Sequence, residues 1–439
     1  MKPAHRFTLL LATCLATLGC TESSAVAPQR DSASAAQVDV APGSAQAAST
    51  GAPVPVVEPW RIEFLDLAFD VASAFPVNPH IKNRSRAQVE VVLAALEVDQ
   101  PDLALRYAAG IANWRRGEAL GAFAHHQARH GRLARVQEFL DEAQRIADGG
   151  GLPADPTAGG DGIEVSQEWR RDRIRAWIAR TYLVLGQSTR ADGAAEGTID
   201  AESVPIHAQR ARSAPEAEFE AEVRRLDALV AAGSFDPLRA ALGAYAELYG
   251  RFFLDAEKRA LLEERVATAL AKMPVQLRVD AYCALAGHAL AHESASKARE
   301  LLDLARAAIE AARWDAETSI PLVARVATLR ARAGDREAAS GEVEFALDAY
   351  AKERERIVNM YRGGVLRPLA EACVAMGDEA RARAIYARAL EEAVVNPNSR
   401  PRADDLVATI ASMVVQGLRP DESLEKRIRE IRAGLGDPW

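Results

Sequence analysis

Apolar residues recur along most of this chain at steps of three and four, the spacing of helices with one buried face. Ahead of Gly377, the residues Leu366, Leu369, Ala370 and Cys373 share such a face, and Ala382, Tyr386, Ala389 and Leu390 share another behind it. Gly334 keeps the same register, with Val323, Val326 and Ala327 before it and Ala339, Val343, Ala346 and Leu347 after it. Around Gly131 the set is Leu120, Phe123 and Ala124, then Val136, Leu140 and Ala143; Gly233 is followed by Leu238, Leu242 and Tyr245. Glu293 stands where the glycine would, yet Ala298, Leu302 and Ala305 hold the offsets. Each unit predicts a helix, a tight turn and a second helix. Glycine suits the left-handed residue that ends the first helix, and Asp335 or Asp378 directly behind it can cap the second. Alternating Val/Ile/Thr runs are scarce, so the pattern predicts an all-α fold.

One unit is written twice. "NWRRGEALGAFAHHQARHG", Asn113 to Gly131, returns as "EWRRDRIRAWIARTYLVLG", Glu168 to Gly186, and both keep the tryptophan, the double arginine and the closing glycine. Trp114 and Trp169 read as flat wedges between hairpins, with the arginines toward solvent or neighbouring acids. Turn markers fall at Gly131, Gly186, Gly233, Glu293, Gly334, Gly377 and Gly417, and residues 83–111 form one further hairpin with Asp99 at its turn. In this register the units resemble tetratricopeptide repeats, most closely in "VLRPLAEACVAMGDEARARAIYARALEEAV". The resemblance implies an α-solenoid of roughly eight antiparallel hairpins, a TPR-like superhelix whose first helices line a concave groove. The spacing departs from the family, whose period is about 34 residues, and Pro368 is expected to start or kink its helix. Gly193 and Gly197 interrupt the helix after Gly186.

The ends and interruptions divide the chain. Residues 1–20, "MKPAHRFTLLLATCLATLGC", carry Lys2 and Arg6 ahead of a short apolar run and resemble a bacterial lipoprotein signal with Cys20 as the lipidated residue. Gly19 fits that pattern; Thr17 stands where it prefers leucine, and plain secretory cleavage is the alternative. Residues 21–58, rich in Ala, Ser and Pro without amphipathic period, are expected to be a disordered tether. An N-terminal sub-array at 59–215, with a Gly-rich loop at 148–162 and a polar segment at 192–215, then precedes a C-terminal sub-array at 216–439 that ends in a charged capping helix. Thr21, where inner-membrane retention uses Asp, favours the outer membrane within the cell envelope; a soluble periplasmic or secreted protein is the alternative.

A net charge of -8 argues against nucleic acid as a partner, which needs a clustered basic surface. No phosphate loop, dinucleotide fingerprint, nucleophile elbow, HExxH or EF-hand loop occurs, so neither enzyme activity nor a cofactor is expected. His126 and His130, beside His125, have the one-face spacing that can hold zinc, and His288 and His292 repeat it. No Cys, Asp or Glu close in sequence completes either pair, so they read as surface or inter-repeat histidines and no metal is expected. Asp148, Asp155 and Asp161 fit no calcium loop, and Cys283 and Cys373 read as buried and unpaired.

By the family's geometry the groove would present Arg129, Arg173, Arg180, Arg332 and Arg367, with Glu118 and Glu371 among them. Such a face favours an acidic protein or peptide partner through charge-assisted hydrogen bonds, unless its arginines are already paired with neighbouring acids. The groove helices lack the asparagines of clamps for a peptide C-terminus. The expected function is a non-enzymatic scaffold for protein interaction or envelope assembly, with solute or glycan binding as the alternative. Aromatic residues are only 6% of the chain, which counts against a glycan pocket.

Overall fold

All eight turn positions picked out by the residue pattern adopt left-handed backbone: Asp99, Gly131, Gly186, Gly233, Glu293, Gly334, Gly377 and Gly417 have φ between +50° and +77°. Glycine carries no Cβ penalty there, whereas Asp99 and Glu293 hold the conformation at a cost. The computed structural model of the chain describes residues 54–150, 168–271 and 273–439. Cys20, the expected signal, most of the expected tether and most of the Gly-rich loop lie outside those residues.

The described residues are all-helical, without strands. The helices are α1 (Pro59–Ala74), α2 (Val77–Glu97), α3 (Pro101–Ala109), α4 (Arg115–Arg129), α5 (Val136–Ala147), α6 (Glu168–Val184) and α7 (Ser188–Ala195). They continue as α8 (Asp200–Ser213), α9 (Phe219–Ala232), α10 (Phe235–Arg251), α11 (Ala256–Leu270), α12 (Val275–Ala291) and α13 (Ala295–Glu310). The last are α14 (Ala316–Arg332), α15 (Arg336–Glu353), α16 (Asn359–Met376), α17 (Glu379–Val394), α18 (Ser399–Gln416) and α19 (Glu422–Ala433).

Packing follows from the alanine five positions after five of the eight turns. Ala104, Ala191, Ala298, Ala339 and Ala382 are all fully buried, and Tyr350 and Tyr386 fill the space beyond the last two. Even-numbered helices pack each on the next, from α2 through α18, while odd-numbered ones lie against them. Gly117 and Gly121 let α4 and α6 approach closely, since a Cβ on them would lie 2.8 Å from Ile174 and 2.7 Å from Trp177. The row then closes on itself within residues 48–439: α18 packs against both α1 and α2. Arg432 bonds Asp70 at 2.6 Å, Arg86 bonds Asp404 at 2.8 Å, Arg429 pairs with Glu63, and Phe75 meets Trp439 at 5.2 Å. Charges on α19, read as a cap facing water, therefore reach α1.

Two local expectations change. The polar segment 192–215, an interruption in the repeat pattern, contains α8, whose buried residues are only Ile206, Gln209 and Ala211. That extra helix shifts the phase, so α10 joins the even row although it follows a turn glycine. Pro368 does not start its helix, because α16 begins at Asn359 and runs through it to Met376. Cys283 and Cys373 are buried and unpaired, and burial pushes both thiols up to about 11.

Candidate functional site

Most even-numbered helices bury one face and expose a stripe along another, α8 burying only Ile206, Gln209 and Ala211. On α2 the stripe is Arg86, Glu90, Leu93 and Glu97, all exposed, at the i, i+4, i+7, i+11 positions of one helix face. Stripes from several helices share one face, the inner face, where charges act on one another both between neighbouring helices and beyond them. Arg129 on α4 feels Arg212 on α8, Glu97 on α2 and Glu247 on α10. Glu371 on α16 feels Arg367 beside it and Arg332 on α14.

The seam where α18 meets α1 and α2 carries a further charged set. Arg367 donates to Asp405 Oδ1 at 2.7 Å, and Gly363 makes room for that carboxylate, since a Cβ added there would lie only 3.0 Å from it. The other oxygen, Asp405 Oδ2, is buried without a hydrogen-bond partner. Glu90 reaches water, yet the protein around it desolvates the carboxylate and pushes its pKa up to about 7, against the pull of Arg367 and Arg86. Burial likewise raises Asp404, Asp405 and Glu371; Glu371 accepts a 2.6 Å bond from Ser412, which also meets the Tyr386 hydroxyl at 2.7 Å.

The repeated Trp-Arg-Arg motif brings its two copies together. Trp114 and Trp169 meet edge to face at 5.1 Å, so each tryptophan wedges against the other. Arg115 lies 4.6 Å over Trp114 and bonds Glu118 at 2.7 Å; Arg173 lies 5.6 Å over Trp169 and grips Glu202 through Nε and Nη2. Deeper in, Arg180 stacks 4.0 Å over Trp177, next to His125. Burial and the charges of Arg180, Arg129 and Arg212 hold His125 neutral, well below the usual histidine range.

All five expected arginines thus lie on even-numbered helices of this face, with Arg129 and Arg332 exposed. Arg173 and Arg367 are engaged by acids, so part of the face pairs internally instead of waiting for a ligand. Sequence reasoning missed Glu90, Asp404, Asp405 and Glu202, whose partners lie on other helices. A separate cavity of about 540 Å³ opens where α5, α6 and α7 meet, lined by Gln144, Arg171, Arg175, Tyr182 and Arg190 among others.

The two histidine pairs differ. His288 packs over Gly250, 3.9 Å from Glu247, while His292 hydrogen-bonds the Gly250 carbonyl at 2.6 Å and stacks on Phe253. His126 and His130 have ring centroids 4.1 Å apart, and Asp99 Oδ1 lies 3.2 Å from His126 Nε2. The acid absent from the neighbouring sequence is therefore supplied by the preceding turn. Desolvation and the charge of His130 lower His126 to about 4. Among the described residues no helix is long and apolar enough to cross a membrane. Compared with known proteins, the sequence matches no family model and no curated protein.

Proposed function

We propose that this chain is a TPR-like α-solenoid scaffold of the cell envelope, lipid-anchored through Cys20, that binds an acidic segment of a protein partner on its inner face without catalysing a reaction. The observation that supports it most is the convergence of arginines from α4, α6, α14 and α16 onto one charged face, with Arg129 and Arg332 exposed. An acidic segment must exchange with the acids that already face these arginines, Glu202 at Arg173, Asp405 at Arg367, and Glu97 and Glu247 near Arg129, so several carboxylates in series bind where one does not.

Titration of the full-length protein with a fluorescent oligo-glutamate peptide tests this. Binding should weaken with salt and fall by about tenfold or more when Arg129 and Arg332 are both changed to Glu, the loss of two favourable charge contacts. Equal binding by that variant removes the inner face as the site. The cavity between α5 and α7, lined by Arg171, Arg175 and Arg190 together with Asp141 and Asp148, supports the second reading, a small polar solute or sugar. Under that reading Arg175→Glu abolishes binding of such a solute and leaves the peptide unaffected. Anchoring is read separately: Cys20→Ala should move the protein from the membrane fraction to the soluble one.

A further inference from the structure

We infer that Asp99, His126 and His130 form a binding site for one divalent ion of the zinc class. The three offer a carboxylate oxygen and two imidazole nitrogens that all lie within 4.8 Å of one another, close enough to converge on a single ion. His126 Nδ1 is buried without a hydrogen-bond partner, and its Nε2 faces Asp99 Oδ1 at 3.2 Å without forming a hydrogen bond, an arrangement that leaves ring nitrogens for a ligand. His130 Nδ1 donates to the His126 carbonyl at 2.8 Å, which fixes the proton there and leaves the Nε2 lone pair to coordinate. Three protein ligands with a fourth position for water is the composition of an open zinc site.

Two structural facts place Asp99. It occupies the left-handed turn between α2 and α3, at φ 50°, a conformation that aspartate tolerates better than most residues. Arg132 grips both of its oxygens at 2.6 Å and orients the carboxylate toward α4. Each carboxylate oxygen has two lone pairs, so Oδ1 can accept from Arg132 and still coordinate. Two imidazoles and one carboxylate favour a nitrogen-seeking cation over calcium or magnesium, which take oxygen ligands. Bound metal would tie the α2–α3 turn to the last turn of α4, bracing consecutive hairpins.

The test uses full-length protein stripped with chelator and titrated with Co²⁺, then Zn²⁺, beside His126→Gln, His130→Gln and Asp99→Asn. One Co²⁺ per chain should bind with the visible absorption of a four- or five-coordinate nitrogen and oxygen site, and Zn²⁺ should displace it. Each single substitution should cost at least the about tenfold to hundredfold in affinity that loss of a supporting contact costs at metal sites. Zn²⁺ should raise the melting temperature of the unsubstituted protein and not of the variants. Absence of a visible band with excess Co²⁺, or a band retained in both histidine variants, overturns the site. If a histidine variant does not fold, Asp99→Asn reads the same loss from the other side of the site.

Discussion

Glu90 offers a direct test of whether burial or salt bridging dominates on the inner face. The carboxyl titrates near 7 instead of 4.5, with burial the largest cause, Arg367 and Arg86 opposing it, and Asp404 and Asp405 adding to it. Between those two pH values the folded chain holds a proton that the unfolded chain has released. The contribution of Glu90 is therefore most favourable below about pH 4.5, and stability is lost as pH rises through 7. At 1.36 kcal/mol per pH unit the interval corresponds to about 3.4 kcal/mol, and because Glu90 reaches water, screening reduces the expected effect to about 1–2 kcal/mol.

Glu90→Gln removes the charge and keeps the shape. It should leave stability unchanged at pH 5 and increase it at pH 8.5. With an unfolding entropy of about 2.1 cal/mol/K per residue, a folded body of this size should melt about 2 °C higher at the upper pH. Paired melts of both proteins across that pH range supply the measurement. A variant that melts lower than the native protein at pH 8.5 would show that Arg367 and Arg86 hold Glu90 ionised, and would refute the dominance of burial.

Three further substitutions probe the packing. Glu293→Gly, at φ 57°, relieves left-handed strain at a turn and should stabilise by about 0.5–1 kcal/mol in denaturant titration, net of the chain entropy glycine adds. Gly363→Ala places a Cβ 3.0 Å from the Asp405 carboxylate and 3.1 Å from the Ala389 carbonyl, and should cost about 1–3 kcal/mol by the same method. Ala382→Glu buries an unpaired charge at a position with 0% exposure and should cost about 4 kcal/mol or more; an unchanged melting curve would contradict the helix register around Gly377.

What the sequence made legible was local. A glycine at a hairpin turn and a small residue five places on are constraints within one hairpin, so they survive in a single sequence, even at Glu293 where the glycine is gone. The helix α8 escaped because only Ile206, Gln209 and Ala211 of its residues are buried, too thin an apolar pattern to stand out among polar ones. Asp99 was placed at its turn, but its meeting with His126 joins two hairpins and leaves no periodic trace. Closure was the least legible feature: Arg432 and Asp70 are 362 residues apart, and each alone looks like any surface charge.

Closure also changes what binding on the inner face would do. In an open row of hairpins Arg86 and Glu90 would sit at one end and Arg367, Asp404 and Asp405 at the other, each solvated. Packed as they are, the first and last even-numbered helices share one charged cluster, held by the Arg86–Asp404 contact and by Arg367 beside Asp405 and Glu90. The ion pairs between α1 and α19 are partly exposed and individually worth little, so the apolar contact of α18 with α1 and α2 must do most of the closing. A ligand with several carboxylates that engages Arg86 and Arg367 together contacts both ends of the chain at once. It binds the closed arrangement in preference to an open one, and by mass action stabilises it in proportion to that preference. Binding at the seam and resistance to opening are then two readings of one equilibrium.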